Sequence, residues 1–198
     1  MPLAHAEREH CLSRGGYEPT SRMTVGEIAM RAILATIVLG FALPALAADV
    51  PSQTKDFINN ATVGNKFEID TSQLALKYAK SPEVKSFAQQ MITDHTKAGD
   101  ELKAALTEAK IEPPSDTLDV AHAAKYAKLR LFTTEHGFDA AYTDEQLKAH
   151  EDTVAKFKDY AANGPTPEVK AFATKLLPTL QHHLEMAKDL NEKVHSKS

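Results

Sequence analysis

The 198-residue chain is poor in cysteine, tryptophan and glycine, and it has no excess of positive charge. It contains one Cys, no Trp and eight Gly, and its formal net charge at pH 7 is −4. A single Cys excludes a disulfide scaffold, metal sites built from several cysteines, and haem attachment through C-x-x-C-H. A weakly acidic chain lacks the basic stripe of a general nucleic-acid binder, so we expect no nucleic-acid partner.

Motifs of several enzyme classes are also missing. The chain has no G-x-S-x-G, H-E-x-x-H, G-x-x-x-x-G-K or G-x-G-x-x-G pattern. His150-Glu151 begins like the zinc-protease motif, but Val154 stands where the second histidine is required. These absences favour a non-enzymatic protein.

An uncharged apolar segment, Ala32–Leu43, lies near the N-terminus, between Arg31 and Ala45-Leu46-Ala47. A basic residue, a short apolar core and an A-x-A end are typical of a secretory signal peptide. Twelve residues are too few for a helix to cross roughly 30 Å of hydrocarbon. We predict cleavage after Ala47, a mature chain without a membrane span, and a periplasmic or secreted location.

Residues 1–29 carry several charges and show no signal-peptide pattern. Signal peptides begin a few residues before the apolar core, so Met30 or Met23 is a better candidate start than Met1. We therefore describe residues 1–47 as an N-terminal extension plus leader. The only cysteine, Cys11, belongs to this part, which leaves a mature chain suited to an oxidising compartment without disulfides.

The remainder of the chain shows a 3.6-residue apolar period in four long stretches. The predicted helices cover about residues 54–80, 82–110, 138–162 and 167–192. Pro82 and Pro167 each follow a hydroxyl residue and precede a glutamate, which is typical of a helix start. Pro178 is expected to kink the last helix or to weaken one of its turns, and residues 193–198 are predicted to be a disordered tail.

A short internal repeat relates the two halves of this region. PEVKSFA at residues 82–88 recurs as PEVKAFA at residues 167–173, each in the second helix of a predicted hairpin. Residues 111–137 are long enough to return the chain along the bundle, and residues 118–132 resemble a shorter surface helix. We predict an all-α fold over residues 48–192: an antiparallel four-helix bundle of two duplicated hairpins with a helix-containing crossover, as in ferritin-like bundles.

Four polar residues lie on the apolar stripes, one in each long helix: Glu68, His95, His150 and His183. Each is near the middle of its stripe, so the four side chains are expected at one height in the bundle. Three imidazoles and one carboxylate suit a single divalent transition metal such as Fe, Zn, Cu or Mn. Asp94 and Glu151, which adjoin two of the histidines, are secondary candidates.

A second interpretation of these residues needs no metal. Core histidines commonly satisfy their hydrogen bonds within the protein, and a buried glutamate is stable when it is paired. The same four residues could therefore form a structural polar network. His182 is expected to be exposed, and His122, His136 and His195 have no evident partner in the sequence.

Several segments together carry a resemblance to a known family: residues 82–91, 94–98, 150–151 and 177–184. They resemble the exported bacterial domain-of-unknown-function family 4142, whose members are often labelled membrane or outer-membrane proteins. The resemblance covers about residues 55–190. It implies a ferritin-like four-helix bundle and no established reaction.

The wider ferritin-like superfamily implies a di-iron centre built from a glutamate and a Glu-x-x-His motif in each half. Glu68, His95 and His183 match three of these positions. Ile92 and Leu180, however, stand where the two motif glutamates are required. Two functions remain open on this resemblance. One is a non-enzymatic envelope or stress-related protein whose partner is a second copy or another envelope protein; the other is a mononuclear or degenerate metal site for storage, sensing or redox use.

Overall fold

The structure, a computed structural model, describes residues 49–134 and 137–196, which contain five α-helices and no β-strand. The helices are α1 (Ser52–Tyr78), α2 (Pro82–Glu108), α3 (Val120–Leu131), α4 (Phe138–Asn163) and α5 (Pro167–Ser196), and a 3₁₀ turn (Phe132–Thr134) follows α3. The prediction of an all-α fold is confirmed. The predicted leader with its cleavage point after Ala47, and His136, lie outside the described residues.

Local signals determine where the helices begin. The Ser81 side chain accepts a hydrogen bond from the Val84 N–H at the start of α2, and Asp119 accepts one from the His122 N–H at the start of α3. Gly137, at φ 110°, precedes α4 in the left-handed region that favours glycine. Within the described part of the chain, no helix is both long and apolar enough to cross a membrane.

The last helix differs from its prediction. α5 continues to Ser196, so residues 193–196 are helical and not the disordered tail that we predicted. The helix is not interrupted at Pro178, and a kink at that residue stays a prediction. The Pro178 side chain is exposed, which places the helix-breaking residue away from the core.

α1 pairs with α2 and α4 pairs with α5, and the two hairpins face each other through α1 against α4 and α2 against α5. Hydrogen bonds show the relative direction of α1 and α4. Thr54 Oγ1 lies 2.7 Å from Tyr160 Oη, whereas Ser72 Oγ lies 2.8 Å from Tyr142 Oη. Because rising numbers on α1 meet falling numbers on α4, these helices are antiparallel.

The α2–α5 contact is antiparallel for the same reason. Asp94 lies 2.9 Å from His183, and Glu101 lies 3.0 Å from Lys175. Since α1 and α2 also form a tight antiparallel hairpin, α2 and α4 run in the same direction. The connection between them carries α3, which packs against α1.

Two apolar clusters fill the interior, one towards each end of the bundle. The first includes Phe57, Leu102, Phe157, Phe172 and Leu180, and the second includes Val84, Met91, Leu129, Tyr142 and Leu190. On every long helix the two clusters are separated by buried polar residues. The polar stripe residues predicted from the sequence therefore lie in the middle of the bundle, between two apolar layers.

Two helix faces differ from the stripes that the 3.6-residue period predicts. These predicted stripes are Phe57, Ala61, Gly64, Glu68, Thr71, Ala75 and Tyr78 on α1, and Ala140, Thr143, Leu147, His150, Val154, Phe157 and Ala161 on α4. On α4, Tyr142 and Gln146 are fully buried and Leu147 is only half-buried, because the two polar side chains reach the hydroxyl groups of Ser72 and Thr71 on α1. On α1, Phe67 is 1% exposed although the stripe did not include it. α3 covers that side of α1, and His122 packs edge-on against the Phe67 ring.

Candidate metal centre

Three of the predicted site residues come together in the middle of the bundle. His95, His150 and His183 are buried, with exposed fractions of 5%, 1% and 1%. One ring nitrogen from each lies within 4.8 Å of the others, and the ring centroids are 5.6–5.9 Å apart. Because α2, α4 and α5 each contribute one ring, only the packed bundle creates this arrangement.

The His95 and His150 rings are each held by one hydrogen bond to an acceptor. His95 Nδ1 lies 3.1 Å from the Asn65 side-chain oxygen on α1, and His150 Nδ1 lies 2.9 Å from the Gln146 carbonyl oxygen one turn earlier. Because these partners only accept, both Nδ1 atoms carry the proton and donate it. Both Nε2 atoms are buried without a hydrogen-bond partner.

His183 is held with the opposite ring nitrogen. Its Nε2–H donates to Asp94 Oδ2 at 2.9 Å, and its Nδ1 atom is buried without a partner. Asp94 was a secondary candidate ligand, but here it orients a histidine of the neighbouring helix. This carboxylate–histidine contact is the arrangement that commonly fixes the tautomer of a metal-binding imidazole.

All three rings therefore present a lone pair that no described protein group uses. Three acceptor nitrogens cannot hydrogen bond to one another, and an unpartnered buried polar atom is uncommon in a folded protein. A shared cation, or small molecules that donate hydrogen bonds, would satisfy all three. The arrangement can therefore bind a cation or small hydrogen-bond donors.

Glu68 lies beside this group. The carboxyl group is 5% exposed, its Oε1 atom is 3.9 Å from His150 Nδ1, and its Oε2 atom has no hydrogen-bond partner. Burial raises the pKa of Glu68, although the attraction of His150 and the side-chain amide of Gln146 oppose the shift. The sequence therefore placed this carboxylate correctly in the core, next to the histidine cluster.

The histidine environment favours neutral imidazole. Burial lowers the pKa of His95 well below its ordinary value of 6.5, and the nearby His150 and His183 lower it further. Burial also lowers the pKa of His183, and the hydrogen bond to Asp94 opposes that shift. Neutral imidazole is the form that binds a metal, so no proton has to be displaced from these two rings at neutral pH.

The other candidate residues lie elsewhere. Glu151 is exposed on α4, and His182 is exposed as predicted. His122 and His195, which had no evident partner in the sequence, lie 2.8 Å from Asp119 and 2.9 Å from Asp144 respectively. Among the described residues, none of these four belongs to the group of ligand atoms that lie within 4.8 Å of one another.

The donor set does not fit a di-iron centre. Such a centre needs bridging carboxylates, which the ferritin-like pattern places one turn before each motif histidine. Ile92 and Leu180 occupy those positions, and Leu180 packs into an apolar cluster. The three imidazoles alone form the group of ligand atoms that lie within 4.8 Å of one another, whereas Glu68 lies beside His150 on the Nδ1 side of that ring.

Sequence reasoning missed the groups that orient two of the rings. Asn65 lies one turn before Glu68 on the same side of α1, a spacing that marks neighbours on a helix but says nothing of the partner. Gln146 accepts the hydrogen bond from His150 with its backbone carbonyl oxygen. Every residue type carries this carbonyl, so the sequence could not indicate the contact. Both contacts depend on how the helices are rotated and packed.

Comparison with known proteins agrees with the resemblance seen in the sequence. The family model described as a domain of unknown function, DUF4142, matches residues 42–190, which is well over half of the chain. A search of curated proteins and a search of solved structures each gave no match. The chain belongs to the DUF4142 family of domains of unknown function.

Proposed function

We propose that this protein binds one divalent transition-metal ion through His95, His150 and His183, with Glu68 as the neighbouring oxygen donor. The observation that carries the proposal is the state of the three rings. Each buried ring donates one N–H to a fixed acceptor and leaves its other nitrogen without a partner. Metal-binding histidines are commonly arranged in this way, because the outer hydrogen bond orients the ring and selects its tautomer.

A purely structural polar network explains the same atoms less well. In such a network the buried polar atoms would satisfy one another, yet each of the four side chains has one atom without a partner: Glu68 Oε2, His95 Nε2, His150 Nε2 and His183 Nδ1. Each buried polar atom without a partner costs about 1–3 kcal/mol. A bound ion would use the three nitrogens and attract the carboxylate.

Imidazole donors suit Zn²⁺, Cu²⁺, Ni²⁺ and Fe²⁺, and affinity along the divalent series generally peaks at Cu²⁺. We therefore expect Cu²⁺ and Zn²⁺ to bind more tightly than Mn²⁺. A site without thiolate ligands suits an oxidising compartment. We accordingly propose that the metal is bound after export to the periplasm, where the protein stores, senses or redox-cycles it.

The proposed setting for this site is a ferritin-like bundle. Support comes from the two antiparallel hairpins, the long helix-containing connection, and the shared direction of α2 and α4. Support for export comes from the sequence of residues 31–47. N-terminal sequencing of protein recovered from the periplasmic fraction tests this part, and a chain that keeps residues upstream of Ala48 would contradict cleavage after Ala47.

Metal analysis of purified protein tests the proposed site. Chelator-treated protein is loaded separately with Fe²⁺, Zn²⁺, Cu²⁺ and Mn²⁺ at neutral pH, dialysed, and measured by elemental analysis. We expect about one ion per chain for at least one metal, because the three lone pairs form one ligand set. The double variant His95→Ala/His150→Ala should lose that ion.

The matched control removes two histidines that lie outside the cluster. In the double variant His182→Ala/His195→Ala the chain loses the same number of imidazoles, but from exposed positions. It should retain metal as the wild type does. The proposal fails if the wild type retains none of the four metals, or if both double variants lose metal equally; a bundle acting through its surface would then be the better hypothesis.

A further inference from the structure

The surface helix α3 has an apolar outer face that no described part of the chain covers. Its inner face packs against α1, where Leu129 is 1% exposed and His122 lies edge-on against the Phe67 ring. Its first and last residues, in contrast, are large apolar side chains in solvent: Val120 is 88% exposed and Leu131 is 71% exposed. α3 is therefore apolar both towards the bundle and away from it.

The exposed apolar residues of α3 form one stripe. We call them the outer α3 stripe, which consists of Val120, Ala124, Ala127 and Leu131. Successive members are four, three and four residues apart, so they lie within about 60° of one another around the helix. This alternation of three and four is the spacing by which one helix packs along another. The outer α3 stripe thus has the pattern of a helix–helix contact on a face turned to solvent.

The charges beside this stripe have opposite signs at the two ends of α3. Asp116 and Asp119 are exposed just before the first turn. Lys128 and Arg130 are exposed in the last turn. A face that is negative at one end and positive at the other is complementary to a second copy of itself in the reverse direction.

We infer that the outer α3 stripe binds the same stripe of a second copy of this chain, with the two α3 helices antiparallel. A two-fold axis through the middle of the stripe relates the copies, as in other symmetric dimers. Val120 then faces the partner's Leu131, and Ala124 faces the partner's Ala127. The small central residues let the helices approach closely, while the larger residues fill the space at both ends.

The same alignment brings opposite charges together. Asp119 and Arg130 are eleven residues apart, which places them within about 20° of each other on one side of the stripe. A two-fold axis keeps that side of both copies together. Arg130 therefore lies within about 3 Å, measured along the helix axis, of the partner's Asp119. Asp119 caps α3 and is still 52% exposed, so it can take part, and charge pairs of this kind mainly fix orientation.

The contact is short, so the dimer is expected to be weak. α3 has 12 residues, which corresponds to a length of about 18 Å. A standard interface buries about 800 Å² on each partner, more than one face of three helical turns supplies. Sedimentation equilibrium of purified protein from about 10 µM to about 1 mM covers the range of weak complexes. Chelator treatment beforehand makes the result independent of the proposed metal site.

Ala124→Glu tests the stripe directly. It places a carboxylate at the centre of the contact, close to its symmetry mate, and glutamate is a good helix former. We expect self-association to weaken at least tenfold. Ala171→Glu is the matched control, because it adds the same charge at an exposed alanine of α5, and it should associate like the wild type. Circular dichroism checks folding, and Ala127→Glu tests the same stripe if Ala124→Glu is not folded.

Cysteine cross-linking tests the alignment. Val120→Cys and Leu131→Cys are made separately in a Cys11→Ala background, then mixed and oxidised. The mixture should form a disulfide between chains, whereas each variant alone should not, since its two cysteines would lie about 16 Å apart along the helix axis.

Three results would each overturn the inference. The first is a wild type that stays monomeric up to about 1 mM, in which case the stripe fits a different protein. The second is a folded stripe variant that associates like the wild type, which would place the dimer contact on another surface. The third is a cysteine mixture that links no faster than the single variants.

Discussion

In metal-free protein we expect His95→Leu to leave the free energy of unfolding unchanged or to raise it, although the side chain is buried and hydrogen bonded. Leucine has a similar size and no polar atom. The substitution removes an unpartnered ring nitrogen from a site that lies between two apolar clusters. It also removes the hydrogen bond from His95 Nδ1 to Asn65.

The magnitude follows from these two contacts. Losing the hydrogen bond costs about 0.5–1.5 kcal/mol, and removing a buried unpartnered acceptor recovers about 1–3 kcal/mol. Asn65 is only half-buried, so water can replace its lost partner. The net change lies between about 0.5 kcal/mol of destabilisation and about 2.5 kcal/mol of stabilisation, which for a domain of this size raises Tm by at most roughly 10 °C.

Thermal unfolding with and without metal is the assay. A metal at one hundred times its Kd stabilises the wild type by about 2.7 kcal/mol, and the variant, which lacks one ligand, should gain much less. The order of stability therefore reverses: the variant melts at or above the wild type without metal, and below it with metal. His182→Leu should melt like the wild type in both conditions.

One result would refute this reasoning. If His95→Leu loses more than about 1 kcal/mol in metal-free protein and metal does not shift the melting of the wild type, then the His95 ring is satisfied within a structural network. The cost would then be that of leaving other buried polar groups without a partner.

Proton uptake and core packing give two further expectations. Because burial lowers the pKa of His95 and His183 below 6.5, the unfolded chain takes up protons before the folded protein does. The contribution of these two histidines to the stability of metal-free protein should therefore be constant above about pH 6.5 and fall as the pH drops. His95→Leu should reduce the slope of stability against pH by up to about 1.4 kcal/mol per pH unit, and an unchanged slope, measured by urea unfolding at several pH values, contradicts this expectation. Leu180→Ala, at a residue 2% exposed, should cost about 2–5 kcal/mol, whereas Leu131→Ala, at a residue 71% exposed, should change stability by at most about 0.5 kcal/mol. Equal melting of these two variants would show that Leu180 is not a core residue.

The helices could be predicted because their signals are local. Ser81-Pro82-Glu83 begins α2 as the sequence indicated, and most buried apolar residues of α2 and α5 follow the predicted stripe. The first half of α4 could not be predicted in this way. Its rotation depends on hydrogen bonds from Tyr142 and Gln146 to α1, so two polar residues are buried where an apolar stripe favours Leu147.

The candidate site could likewise be predicted only in part. Periodicity placed Glu68, His95, His150 and His183 in the interior, because a polar residue on an apolar stripe has few other places to lie. Periodicity could not show that Asp94, next to His95 in the chain, reaches His183 on another helix. Successive residues point to different sides of a helix, so chain neighbours such as these can serve different partners.

The sequence by itself determined the all-α class, the helix limits to within a few residues, and the burial of Glu68, His95, His150 and His183. Each of these follows from short-range spacing and from local helix-start chemistry. The tertiary structure alone decided that one nitrogen from each of three rings on three helices lies within 4.8 Å of the others, which nitrogen of each ring has no hydrogen-bond partner, and that His95 and His150 line a cleft. These features depend on how the helices are rotated against one another, and rotation is set by contacts between residues far apart in the chain.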